Sequence, residues 1–255
     1  MAFNKSTADV LFMKGEYAAA AELYLEGAKD GEEIASYNYA YCLLNGYGVE
    51  QDYALAKSFF SYARDMKGGE SCYNLALLYL DGKGVEKDYR VAMQYMSDAA
   101  DLGSVEAMLY LGMAYTTGYV LYPEVVGISM IPFHQAELRG DEVLLLEGGG
   151  YDTEYDEEQR FSVIRPDQRR AFEYFRDAAY SSPTYVEDLV ARGKYLYARC
   201  YIDGMGVDFN RIKGMKLMLT AGRSGSEDAV AFLAEAGVNE RLIAEWSSAS
   251  EKTKK

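Results

Sequence analysis

The chain has 255 residues, 49% of them hydrophobic, and its 40 acidic against 26 basic side chains give a formal net charge of −14. That hydrophobic content supports a packed core, while the negative field repels phosphates and argues against nucleic acid as a partner. No apolar stretch approaches the ~20 residues that span a bilayer, the N-terminal M-A-F-N-K-S-T-A-D-V holds no apolar signal core, and only three cysteines are present, so a reducing, cytoplasmic compartment is expected.

From the N-terminus, residues 2–13 predict a helix. Residues 17–28 predict a second, with Ala20, Tyr24 and Ala28 on one face. Together, residues 1–33 read as a capping hairpin. Beyond them the chain repeats itself every 36 residues: Asn38, Gly46, Gly48, Val49, Asp52 and Tyr53 recur as Asn74, Gly82, Gly84, Val85, Asp88 and Tyr89. A period of that size means stacked helical hairpins. Residues 35–69 and 71–103 are two such copies. In the second, Ala92, Tyr95, Met96 and Ala99 fall at i, i+3, i+4 and i+7, which is one helix face. One hairpin cannot bury enough apolar surface alone; a stack of five can.

A third copy starts at Ala107, with Leu111, Gly112, Tyr115 and Gly118 in the places of Leu75, Ala76, Tyr79 and Gly82. It is interrupted over 119–166 and resumes at Asp167, so the copy runs 107–179 and carries 43 extra residues. The insertion holds three of the four prolines and a net charge of −7. Residues 143–146 and 161–164 are strand-like, and a loose hairpin with an acidic tip at 148–159 is expected. Asp152, Glu154 and Asp156 alternate there. Glycine and glutamate are missing from the places a calcium loop requires, so these carboxylates read as a solvated loop or a partner contact. His134, the single histidine, also lies in the insertion.

The fourth copy, 183–225, carries Gly204, Gly206 and Val207 in the turn. Ser182 and Pro183 read as an N-cap and first helical residue, opening a longer helix that ends at Asp203. Residues 226–249 read as capping helices over 227–235 and 239–246. A terminal unit has one face with no neighbour, so an atypical sequence is expected there.

Each G-x-G follows a helix rather than a strand and lacks the third glycine of a dinucleotide loop. Glycine just past a helix end supplies the positive φ of the cap. Cys42 and Cys200 both occupy the place of Leu78, which marks them as buried thiols. Paired cysteines or histidines at metal-ligand spacing are missing, as are the nucleophile-elbow, zincin and P-loop motifs. No metal, cofactor or catalytic residue is therefore assigned.

Leu75, Ala76, Tyr79, Gly82, Gly84, Val85, Asp88, Tyr89, Ala92, Ala99, Ala100 and Gly103 together resemble the Sel-1-like repeat, a relative of the tetratricopeptide repeat. The resemblance covers most of the chain outside the insertion. It implies an all-α fold, a right-handed α/α superhelical solenoid with a concave groove, and non-catalytic adaptor or scaffold work on a protein or peptide partner. It also implies that first-helix positions line the groove: here Tyr37, Tyr41, Tyr73, Leu77, Leu109, Met113, Tyr195 and Arg199. Tyrosine offers large contact area with few rotors to freeze, which suits recognition. Two alternatives stand beside this reading. One is a cell-wall- or β-lactam-directed hydrolase, as in relatives with two cysteines per repeat, a pattern this chain lacks. The other is a purely structural assembly module.

Overall fold

The structure, a computed structural model, describes residues 5–65, 68–117, 119–124, 127–132, 153–155, 162–164, 166–182 and 187–238. Among these residues the fold is all-α apart from four short strands in the insertion. The helices are α1 (Lys5–Met13), α2 (Tyr17–Lys29), α3 (Glu33–Asn45), α4 (Tyr53–Asp65), α5 (Gly69–Asp81), α6 (Tyr89–Asp101), α7 (Val105–Thr117), α8 (Gln168–Tyr180), α9 (Glu187–Asp203), α10 (Arg211–Arg223) and α11 (Glu227–Glu235). They form successive antiparallel hairpins, with α3–α4, α5–α6, α7–α8 and α9–α10 as the full repeats.

The repeated turn motif explains where each hairpin bends. The first glycine ends the first helix in the left-handed region, at φ +73° for Gly46, +70° for Gly82 and +72° for Gly204. The second glycine does something the cap assignment did not include. A Cβ on Gly84 would lie 2.6 Å from Tyr53 Cβ, one on Gly48 2.2 Å from the Tyr17 carbonyl carbon, and one on Gly206 1.9 Å from the Gln168 carbonyl oxygen. Each turn thus sits on the first residues of the preceding hairpin's second helix, at a distance only glycine permits. The polar residue after the turn opens the next helix as its N-cap: Asp88 Oδ1 accepts from the Val91 amide, and Asn210 Oδ1 from the Lys213 amide. Its own amide reaches back to the first helix, with Asp52 donating to Leu43 O, Asp88 to Tyr79 O and Asn210 to Tyr201 O.

Helices α1–α6 make one compact unit and α7–α11 a second. In the first unit, alanines at Ala20, Ala40, Ala56 and Ala76 let helix backbones approach, and Phe60, Leu75, Leu78 and Tyr24 fill the space between them. In the second, Phe175, Val190, Leu109, Cys200 and Tyr201 form the main cluster. Gly112 is required there, because a Cβ on it would lie 2.4 Å from the ring of Phe175. Burying one such side chain contributes ~1.5–3 kcal/mol.

The insertion contributes β1 (Tyr119–Glu124), β2 (Gly127–Pro132), β3 (Thr153–Tyr155) and β4 (Ser162–Ile164), in the sheet order β2-β1-β4-β3. Strand β4 runs antiparallel to both β1 and β3, with Val163 opposite Val120 on one side and Glu154 on the other. This corrects the expected pairing of 161–164 with 143–146: a strand has two hydrogen-bonding edges, and both edges of β4 are taken. Residues 143–146, Gly118, His134, Pro183, the rest of the acidic tip and 239–246 lie outside the described residues. Despite the insertion, the frame of the third repeat closes like the others, since the Asp167 amide donates to Tyr115 O at 2.8 Å. The same bond spans nine residues in the other copies and 52 here.

Candidate functional site

The first-helix row divides between the two units. In the first unit, α3 carries Tyr37 and Tyr41, and α5 carries Tyr73 and Leu77. Tyr37, Tyr73 and Leu77 are half-buried, and Tyr41 is exposed. Tyr37 packs against Phe60 with ring centroids 5.7 Å apart, and its hydroxyl accepts from Asn74 Nδ2 at 3.5 Å. One side of this tyrosine therefore belongs to the core. Tyr41 stacks on Tyr37 at 6.5 Å and meets Tyr47 at 6.0 Å; Tyr47 stacks on Tyr17 at 4.9 Å, and Tyr17 meets Phe12 edge-on at 5.0 Å. The result is a continuous run of rings from Phe12 to Phe60. Tyr17 and Tyr47 were not among the residues singled out from sequence. Alignment by repeat position hid them, because one opens a second helix and the other sits inside a turn. The available signal was that Tyr47 stands where the other turns have Lys83 and Met205.

In the second unit the row is less open. Leu109 on α7 is 7% exposed and packs with Val105 and Phe175, so it is a core residue. Met113, one turn on, is exposed. On α9, Tyr195 and Arg199 are half-buried. Arg199 Nε donates to Asp203 Oδ2 at 2.8 Å, its Nη1 donates to the Tyr195 hydroxyl at 3.2 Å, and its guanidinium lies 5.4 Å from the ring centre of Phe232. The carboxylate that meets this expected groove residue thus comes from its own helix. Of the insertion residues, Asp152 and Asp156 lie outside the described residues, and Glu154 is placed by its backbone in β3.

Burial shifts several titratable groups. Burial pushes the Cys42 and Cys72 thiols up to about 11 and Cys200 to about 12, and all three are free. Tyr24 is also raised, by burial and by donating to Asp9 Oδ1 at 2.8 Å. Near the start of α3, burial and the charge of Glu70 raise Glu33. Lys213 Nζ lies 2.7 Å from the Tyr201 hydroxyl and 4.1 Å from that ring's centre. Burial alone would raise the Tyr201 phenol, but hydrogen bonds from Lys213 and Tyr197 outweigh it and lower it. The pair braces α10 against α9. Among the described residues no group of three or more histidine, cysteine, aspartate or glutamate side chains converges for a metal. Of the first-helix row, Tyr41 and Met113 are the exposed members.

A family model described as the Sel1 repeat matches residues 34–67, 69–104, 105–123, 157–182 and 191–226. These segments cover more than half of the chain. The chain belongs to the Sel1 repeat family. Two of the matches, 105–123 and 157–182, are separated by residues 124–156 of the insertion, in keeping with one interrupted repeat. Among solved structures the chain is similar to a Sel1 repeat protein from Oxalobacter formigenes, at 17% identity and TM-score 0.63, covering 98% of this chain and 85% of that one; this likeness shows the fold. It is also similar to a putative Sel1 repeat protein from Klebsiella pneumoniae, at 17% identity and TM-score 0.44 over 91% of this chain and 90% of that one. A third similar structure is an immunity protein from Pseudomonas aeruginosa, at 15% identity and TM-score 0.45 over 92% and 72%. No curated protein matches the chain. Sel1 repeats generally form scaffolds for protein–protein interaction rather than enzymes. No described helix is long and apolar enough to cross a membrane.

Proposed function

We propose that this Sel1 repeat protein is a non-catalytic adaptor that holds a peptide or protein segment along its first helices. The observation that carries this reading is the state of Tyr37, Tyr41, Tyr73 and Leu77. The helices around them are packed, yet these four remain half-buried or exposed at matching places in two consecutive repeats. In the second unit, Met113 and Tyr195 hold the places that Leu77 and Tyr73 hold in the first. Arg199 holds Tyr195 in place, and Leu109 supports the set from the core. The acidic insertion, through Asp152, Glu154 and Asp156, is a second contact for the same partner. The reading involves no cofactor, and the net charge disfavours nucleic acid. The three free, buried thiols suit a reducing, cytoplasmic setting.

The test uses Tyr73→Ser. A partner is captured with the wild-type chain, identified, and titrated against both proteins. Loss of affinity of roughly thirtyfold, as for a typical hot spot, with a thermal midpoint within a few degrees of wild type, supports the groove reading. If Tyr73→Ser unfolds the protein while binding per folded molecule is unchanged, the row is core and the partner binds elsewhere.

A further inference from the structure

Among the described residues, five tyrosine rings lie near a cation. Lys57 sits 5.6 Å from the ring centre of Tyr79, Arg64 5.7 Å from Tyr95, Lys87 5.8 Å from Tyr89, Arg170 5.4 Å from Tyr115 and Lys213 4.1 Å from Tyr201. Tyr17, Tyr41 and Tyr47 have none within that range among the described residues, although they form a stacked platform whose members Tyr17 and Tyr41 are exposed. Their hydroxyls make no hydrogen bond to the described residues. The platform is held rigidly: the close approach of Gly48 to the Tyr17 backbone places Tyr47 beside Tyr17. The segment that carries it is acidic: residues 1–104 hold 16 acidic and 9 basic side chains. A ring face attracts a cation through its quadrupole, and a surrounding negative potential favours the same charge.

We propose that the Tyr17–Tyr47–Tyr41 platform receives a lysine or arginine side chain from a basic peptide segment of the partner. This rests on the adaptor reading above and specifies the chemistry of its ligand. The neighbouring copy has no ring at this turn. At the position of Tyr47 it carries Lys83, which pairs with Asp81 at 2.7 Å.

The experiment titrates the full chain, at physiological ionic strength, with a fluorescent alternating arginine–alanine decapeptide and its glutamine–alanine counterpart, followed by anisotropy. Proteins are wild type and the Tyr41→Leu, Tyr47→Lys, Tyr62→Leu and Tyr73→Ser variants, each checked by thermal melt. Saturable binding of the arginine peptide is expected, weakened about fivefold by Tyr41→Leu, abolished by Tyr47→Lys, and unaffected at Tyr62, an exposed tyrosine on α4. None of the tyrosine-to-leucine changes alters net charge, so diffuse attraction to an acidic protein would leave all of them equal. That result, or equal binding of the glutamine peptide, overturns the proposal. If the glutamine peptide binds equally and Tyr73→Ser weakens both peptides, the adaptor reading stands and the cation inference alone falls. If neither peptide binds, and an identified partner is indifferent to Tyr73→Ser, both fall.

Discussion

At the scale of single residues, the two glycines of each turn have different jobs, and they are separable by experiment. Gly82 needs only its positive φ: a Cβ there would meet Lys87 at 3.5 Å, an ordinary contact. Gly84 has a positive φ and a neighbour it would strike at 2.6 Å. Gly82→Ala is expected to cost about 1 kcal/mol, the strain of an L-residue in the left-handed region, and Gly84→Ala at least twice as much, because backbone must move. Urea melts of the two variants check this, and equal costs would remove the inter-hairpin role of the second glycine. The cysteines give a second residue-scale expectation. Burial holds the Cys42 and Cys72 thiols up to about 11 and Cys200 to about 12. The reactive thiolate is thus scarce in the native state throughout the pH 7–9 range. A chromogenic disulfide reagent is expected to find almost no thiol in the native protein at pH 8 and three per chain in denaturant. Rapid labelling of one thiol in the native state would show that its pocket opens.

At the scale of elements, the helices pack in matched pairs of large and small residues. Gly112 on α7 faces Phe175 on α8. In the preceding copy the same two places hold Ala76 and Met96, both fully buried. Gly112→Ala alone forces the Phe175 ring aside and is expected to destabilise by ~1–3 kcal/mol, the usual cost of overpacking. Adding Phe175→Met recreates the neighbouring copy's pair and should restore most of that loss. A double-mutant cycle measures the coupling; strictly additive losses would mean the two residues do not meet. The caps belong to this scale too. The aspartate of the Asp-Tyr motif was visible as a repeated letter. Its role as N-cap of the second helix follows from hydrogen bonds to the amides two or three residues on.

At the scale of the whole molecule, the question is how one repeat tolerates 43 extra residues. The hydrogen bond from the Asp167 amide to Tyr115 O closes the third hairpin as in the uninterrupted copies. Deleting residues 123–163 and joining the ends through a short glycine-rich turn is therefore expected to leave a cooperatively melting, predominantly helical protein. Circular dichroism during thermal unfolding reads both properties. Loss of the cooperative transition would show that the insertion is part of the core.

The period of 36, the glycines after each helix and the alternation of small and large residues on one helix face were all legible in the chain. Helix limits followed closely, down to α11 at Glu227–Glu235, because caps and periodicity are local signals set by neighbours in sequence. The buried thiols were legible for the same reason, since Cys42 and Cys200 inherit the environment of Leu78. What the sequence could not decide was which members of the first-helix row stay open. Leu109 and Tyr73 hold equivalent places, yet one is 7% exposed and the other half-buried. That difference depends on which side chains from other helices close over the position. The ring run from Tyr17 through Tyr47 to Tyr41 depends likewise on a turn settling against the first turn of a distant helix. Contacts between segments far apart in sequence leave no period to read, and only the tertiary structure brings them together.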